Sequence, residues 1–232
     1  MANLKGIEAH FVGLDIGRAV DHSALVVLAR RWERLNMNNI EGATITYKYY
    51  ITYMRRFTLG TEYNIVESET ERIWNLPALI PTRNWMLVDQ TGVGAPIVES
   101  LRRKRVPVTG IVITGGESVH QPAGNEWHVP KSAIVTQLLR LVQGGKLRAV
   151  KGLEWAKELG EEFDSFGYKM NRDTGTLSYE SIENKVHDDL IVALAMCAWY
   201  AEAKAPPAIF GKVHSELAKD YNPLTGKVYG EK

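Results

Sequence analysis

The chain has 232 residues, enough for one substantial core or two small ones, and its 45% hydrophobic and 24% charged residues exclude a disordered or fibrous protein. A formal net charge of +1 excludes a strong overall basic field, so any hold on nucleic acid must come from local clusters. The single cysteine, Cys197, excludes a disulfide framework and reads as a core residue. The longest apolar run, residues 190–201, is too short to span a bilayer, and the first residues lack the apolar core of a signal peptide. These features predict a cytoplasmic protein with no membrane association.

Residues 1–9 read as a leader into a first strand. Phe11-Val12-Gly13-Leu14-Asp15-Ile16-Gly17 then runs apolar up to one carboxylate and a releasing glycine, the pattern of a buried central strand delivering an acid to the sheet's end. A turn through Asp21 and His22 leads to a second apolar run, residues 23–28. Residues 32–42, with Asn36, Asn38 and Asn39, read as an exposed loop. Residues 44–57, rich in Thr, Tyr and Ile, are a third strand, so the chain opens as an antiparallel meander.

Residues 62–79 carry helical periodicity, with Ile65, Ile73, Leu76 and Leu79 as the apolar positions and Pro77 breaking the end. Trp85-Met86-Leu87-Val88-Asp89 is a second strand stopping on an acid. A tight turn and a helix ending in Arg102-Arg103-Lys104-Arg105 follow, then a strand over residues 106–114, which implies parallel pairing by a right-handed crossover. Residues 115–129 read as a long loop. A helix from Lys131, a short strand at 147–150, a helix over 153–163 and a hairpin over 166–181 complete the middle of the chain. The last helix, residues 187–204, is apolar on every face and opens on His187-Asp188-Asp189. The organisation predicted is one domain, residues 1–204, with a C-terminal tail, residues 205–232.

Asp15, Asp89 and the Asp188-Asp189 pair come from three distant segments, each at the edge of a buried element. A buried acid needs a cation or a proton beside it, so this spacing points to a divalent-metal site. Two Mg2+ or Mn2+ ions sharing one carboxylate suit an in-line phosphoryl displacement, and Asp15 on the central strand is the candidate bridge. Residues 188 and 189 point about 100° apart on a helix, which favours Asp188 as the closer ligand and Asp189 as a supporting one. His187 and Asp21 are auxiliary candidates. Lys131, Lys146, Arg148 and Lys151 are candidate DNA contacts, as is the run from Arg102 to Arg105.

Gly13-Leu14-Asp15-Ile16-Gly17, Leu87-Val88-Asp89-Gln90-Thr91-Gly92, Val129-Pro130-Lys131 and the His187-Asp188-Asp189-Leu190 helix with Ala193 and Ala195 resemble, in order, the C-terminal nuclease domain of a phage terminase large subunit. The resemblance spans about residues 11–200. It implies an α/β, RNase H-like mixed sheet, with a three-stranded antiparallel meander plus parallel strands flanked by helices. It also implies a two-metal endonuclease acting on duplex DNA during genome packaging, with Asp15, Asp89, Asp188 and Asp189 holding the metals. The implied partners are double-stranded DNA, an ATPase motor domain, a small terminase subunit and a portal, and the isolated domain is expected to be monomeric. The chain carries no phosphate loop of the G-x-x-x-x-G-K-[ST] form, so ATP hydrolysis is not expected of it. A Holliday-junction-resolvase-like nuclease and a non-catalytic RNase H-like DNA-binding module are the alternatives. The histidines form no His-Glu-x-x-His pair, which argues against zinc chemistry.

Overall fold

A computed structural model describes residues 5–17, 21–35, 44–80, 82–122, 124–170, 177–181, 187–205, 221–222 and 227–228. The Asn36–Asn39 loop, the turn of the 166–181 hairpin and most of the C-terminal tail lie outside the described residues. The meander is as expected but longer. Strands β1 (Lys5–Asp15), β2 (Ala24–Leu35) and β3 (Thr44–Arg56) pair antiparallel in sequence order. The presumed leader is therefore half strand, and β2 runs into the segment read as loop.

Helix α1 (Tyr63–Trp74) leads to β4 (Arg83–Asp89), which pairs parallel to β1. Helix α2 (Gly94–Arg103) crosses over to β5 (Val108–Thr114), parallel to β4. The expected long loop holds a further strand, β6 (Glu126–Pro130), parallel to β5. Its five residues include a terminal proline and lack apolar alternation, which hid it from the sequence. Helix α3 (Lys131–Gln143) returns across one face to β7 (Leu147–Ala149), which pairs parallel to β3 at the other edge. The seven-stranded sheet thus has the order β6-β5-β4-β1-β2-β3-β7, a mixed sheet with β1 at its centre. Helix α4 (Ala156–Ser165), the hairpin β8 (Phe166–Met170) and β9 (Leu177–Ser181), and helix α5 (Asp189–Ala203) follow.

Alternation along β1 divides the core. Ala9 and Phe11 face the layer of α3, α4 and α5, whereas Val12 and Leu14 face α1 and α2. Helix α1 buries Val66, Thr70 and the expected Ile73, whereas Ile65 is half exposed, so at the start of the helix the buried position lies one residue on from the one the sequence suggested. In β3 the register slips between Val27 and Leu28, leaving Thr52 as an extra residue whose hydroxyl donates to Val27 O at 3.2 Å. This bulge reverses the parity of everything after it. Tyr49 and Ile51 precede it and Met54 follows it, yet all three face the α5 layer, and so Arg56 is aimed there too.

Two features of this frame are open to measurement. Helix α2 ends in a Schellman motif, with Val106 N donating to Leu101 O (3.0 Å) and Arg105 N to Arg102 O (2.9 Å). Its left-handed residue is Arg105, at φ 63°, where glycine is usual. Arg105→Gly is expected to stabilise the fold by roughly 0.5–1 kcal/mol in urea unfolding. His10, 1% exposed on β1, hydrogen-bonds through Nδ1 to Thr82 Oγ1 (2.7 Å). Burial lowers its pKa from 6.5 to about 4. The folded chain then binds this proton more weakly than the unfolded chain does. Stability from His10 is full above pH 6.5 and is lost as pH falls towards 4, at up to about 1.4 kcal/mol per pH unit. Thermal unfolding across that window should be less steep in pH for His10→Gln.

Candidate metal centre

Three contacts bring the acids together. Gly13 and Leu14 of β1 lie in parallel register with Leu87 and Val88 of β4, so one step further sets Asp15 beside Asp89 on adjacent strands. Leu87 faces the α5 layer, and Asp89, two residues on, shares that face. Helix α5 runs antiparallel over β1. Cys197 Sγ reaches Phe11 O at 3.5 Å, and a Cβ on Gly13 would meet Ala193 O at 2.3 Å and Cys197 Sγ at 2.6 Å. Only glycine admits this approach. Two strand residues advance about 6.6 Å and four helix residues about 6 Å. The same register therefore carries Asp189, four residues before Ala193, to the level of Asp15.

The electrostatics follow from that packing. Burial first, then the charges of Asp89, Asp189 and Asp188, hold the Asp15 carboxyl well above the ordinary range, and Lys131 offsets part of this. Asp89 is raised too, chiefly by burial, against hydrogen bonds from Thr91 and one shared with Asp15. Thr91 N donates to Asp89 Oδ1 at 2.8 Å. Asp189 is pushed up to about 6, mainly by burial and opposed by Arg56, whose Nη2 lies 3.4 Å from Asp189 Oδ2. Asp188 pairs with Lys131, Nζ to Oδ2 at 2.7 Å.

Among the described residues no group of three His, Cys, Asp or Glu side chains is arranged to hold a metal ion as they stand. Lys131 and Arg56 each engage one of the helix acids, Asp188 and Asp189 respectively. The donor chemistry nevertheless suits a hard divalent cation, because the converging ligand atoms are all carboxylate oxygens.

Of the other candidates, Lys131 joins the acids and the remaining basic ones do not. Lys146, Arg148 and Lys151 follow the far end of α3, whose 13 residues span about 20 Å, so the four cations close in sequence form no single patch. His187 packs edge-on against His22 with ring centroids 4.9 Å apart, and His22 Nδ1 lies 2.7 Å from Phe57 O. Asp21 is exposed, but its charge is felt by Asp189. The Arg102–Arg105 run sits at the end of α2, across the sheet from α5.

Two charged residues of the cluster were not legible in advance. Arg56 reaches it only because of the Thr52 bulge. Glu162, 2% exposed on α4, accepts Ile191 N–H at 2.9 Å through Oε2 and is pushed up to about 8, chiefly by burial. The one available signal was its spacing of three residues from Leu159 on the buried stripe of α4.

No protein-family model matches the sequence, and neither does any curated protein. Among solved structures, the fold is similar to that of the human cytomegalovirus terminase nuclease domain, Mn soaked and inhibitor bound. That likeness covers 86% of this chain and 85% of that chain at 12% identity, with a TM-score of 0.47. It is also similar to the g2p large-terminase nuclease domain from bacteriophage SPP1 with bound Mn, over 82% of this chain and 85% of that chain, at 13% identity and a TM-score of 0.46. The structural neighbours of this chain are terminase nuclease domains.

Proposed function

We propose that the protein is a divalent-metal-dependent endonuclease that cuts duplex DNA with little sequence preference, as in the nuclease domain of a terminase large subunit. The observation that carries this reading is the convergence of Asp15, Asp89, Asp188 and Asp189 from three distant segments onto one end of the sheet. So many carboxyls gathered beside a buried strand end are costly unless cations or protons neutralise them. Two Mg2+ or Mn2+ ions held there would activate water for attack on a phosphodiester and neutralise the leaving oxygen. Asp15, flanked by Asp89 on one side and the α5 acids on the other, would be the shared ligand, with Asp89 and Asp188 or Asp189 completing the set. Lys131 offers its ammonium to the phosphate from the Asp188 side, while Arg56 fixes Asp189. Lys146, Arg148 and Lys151 make more distant contacts to the DNA backbone, with an affinity that falls steeply as salt rises. His187 and Asp21 line the rim. The same resemblance supplies the wider partners, namely an ATPase motor, a small terminase subunit and a portal.

Supercoiled plasmid incubated with Mn2+, Mg2+ or EDTA tests the activity. Nicking and linearisation should require the metal. They should fall in Asp15→Asn by more than the roughly 10- to 100-fold typical of groups outside the ligand shell. Cutting confined to paired incisions at a four-way junction would favour a resolvase. DNA binding without cutting would favour a non-catalytic module.

A second measurement crosses stability with metal binding. Asp15→Asn removes a repelled buried carboxyl, so the variant should melt at or above the wild-type temperature without metal. Mn2+ at about 100 times its Kd should stabilise the wild type by about 2.7 kcal/mol and leave the variant nearly unmoved. Equal Mn2+ shifts in the two proteins would remove Asp15 from the site.

A further inference from the structure

Asp188 stands at the N-cap of α5, where an aspartate ordinarily turns its carboxylate back onto the amide two or three residues later. Here it does not. No side chain at that position caps the helix, and Asp188 Oδ2 goes instead to Lys131 Nζ at 2.7 Å. The amide it would have taken, Ile191 N–H, donates to Glu162 Oε2 at 2.9 Å. Glu162 reaches it from α4 and is 2% exposed, and its Oε1 has no hydrogen-bond partner among the described residues. A buried carboxyl with one idle oxygen is an expensive way to cap a helix whose own N-cap residue is already an aspartate. What the arrangement does achieve is to leave the Asp188 carboxylate out of the cap, where it pairs with Lys131.

We propose that Glu162 is a positioning residue: by taking the Ile191 amide from outside the helix, it keeps the Asp188 carboxylate out of its own cap and on Lys131, within the charge cluster around Asp15. This rests on the reading of Asp188 as a metal ligand. Removing Glu162 returns the amide to Asp188, which folds back onto α5 and leaves the cluster. The sequence carries both halves of the competition, an N-cap acid and a rival acceptor, but only the packing of α4 against α5 brings them to one amide.

The test uses the full chain and two readouts. In Mn2+ titration calorimetry, Glu162→Ala should weaken binding about tenfold or more, whereas Glu162→Gln, whose amide oxygen accepts the same hydrogen bond, should stay near wild type. Adding Asp188→Asn to Glu162→Ala should weaken binding little further, because that ligand has already left. A Gln variant as weak as Ala would mean that the charge matters and not the hydrogen bond, and would overturn the proposal. Wild-type binding by Glu162→Ala, or additive losses in the double variant, would do the same.

The second readout needs no metal. The Ile191 amide should stay protected from hydrogen exchange in Glu162→Ala and in Asp188→Ala, and lose protection only when both are replaced. Rapid exchange in Asp188→Ala, a variant that leaves Glu162 in place, refutes the proposal even if Glu162→Ala does not fold. Rapid exchange in Glu162→Ala alone refutes it as well. Should the wild type neither bind Mn2+ nor cut DNA, the metal reading fails, while the exchange data still decide whether Glu162 and Asp188 compete for the amide.

Discussion

The structure depends on the close approach of α5 to β1 at Gly13. With no side chain there, the carbonyl of Ala193 and the sulfur of Cys197 sit directly on the strand, and the helix lies along the centre of the sheet. That contact fixes the height of α5 along β1, and so the level at which its first turn meets the end of the strand. It also explains a helix apolar on every face. Leu190, Ile191, Ala193, Leu194, Ala195, Cys197 and Ala198 are all essentially without exposure, because α3 and α4 close over the side that the sheet does not cover.

A helix so enclosed cannot satisfy its ends with water, and both ends are tied by ionisable side chains from other elements. At the C-terminus Arg30 of β2 donates through Nη1 to Ala201 O (2.6 Å) and Ala205 O (3.2 Å), and its own charge is met by Glu8 at 2.5 Å. At the N-terminus Glu162 accepts the Ile191 amide. The cation at the carbonyl end has the polarity that the helix dipole favours, while Glu162, whose pKa burial raises to about 8, serves as a hydrogen-bond acceptor. The two ties also locate the acids, since anchoring at both ends leaves the Asp188-Asp189 turn little freedom beside Asp15.

Charge in the cluster is balanced only in part. Asp15, Asp89, Asp188, Asp189 and Glu162 meet Lys131 and Arg56, and burial together with the surplus of acids raises the pKa values of Asp15, Asp89, Asp189 and Glu162. A fold selected only for stability would gain by replacing several of these with apolar groups. The surplus of acid is therefore the strongest physical argument that the cluster serves a cation.

Much of this was legible from the chain. The strand acids Asp15 and Asp89 announced themselves because an apolar run ending in a carboxylate has few explanations, and the α5 acids because nothing else in the sequence is so uniformly apolar. The meander, the β4–α2–β5 crossover and α3 followed from periodicity, which is a local property. What escaped was decided by contacts between distant segments. Strand β6 exists through its partner β5 rather than through its own pattern. Arg56 reaches the site because one inserted residue, Thr52, flips the parity of β3, and the basic residues from Lys131 to Lys151 are divided by the length of α3. The sequence by itself determined which groups are acidic and the kind and order of most elements. Only the tertiary structure decided which of them meet, because a carboxylate's partner, burial and proton are set by neighbours that the chain brings from far away.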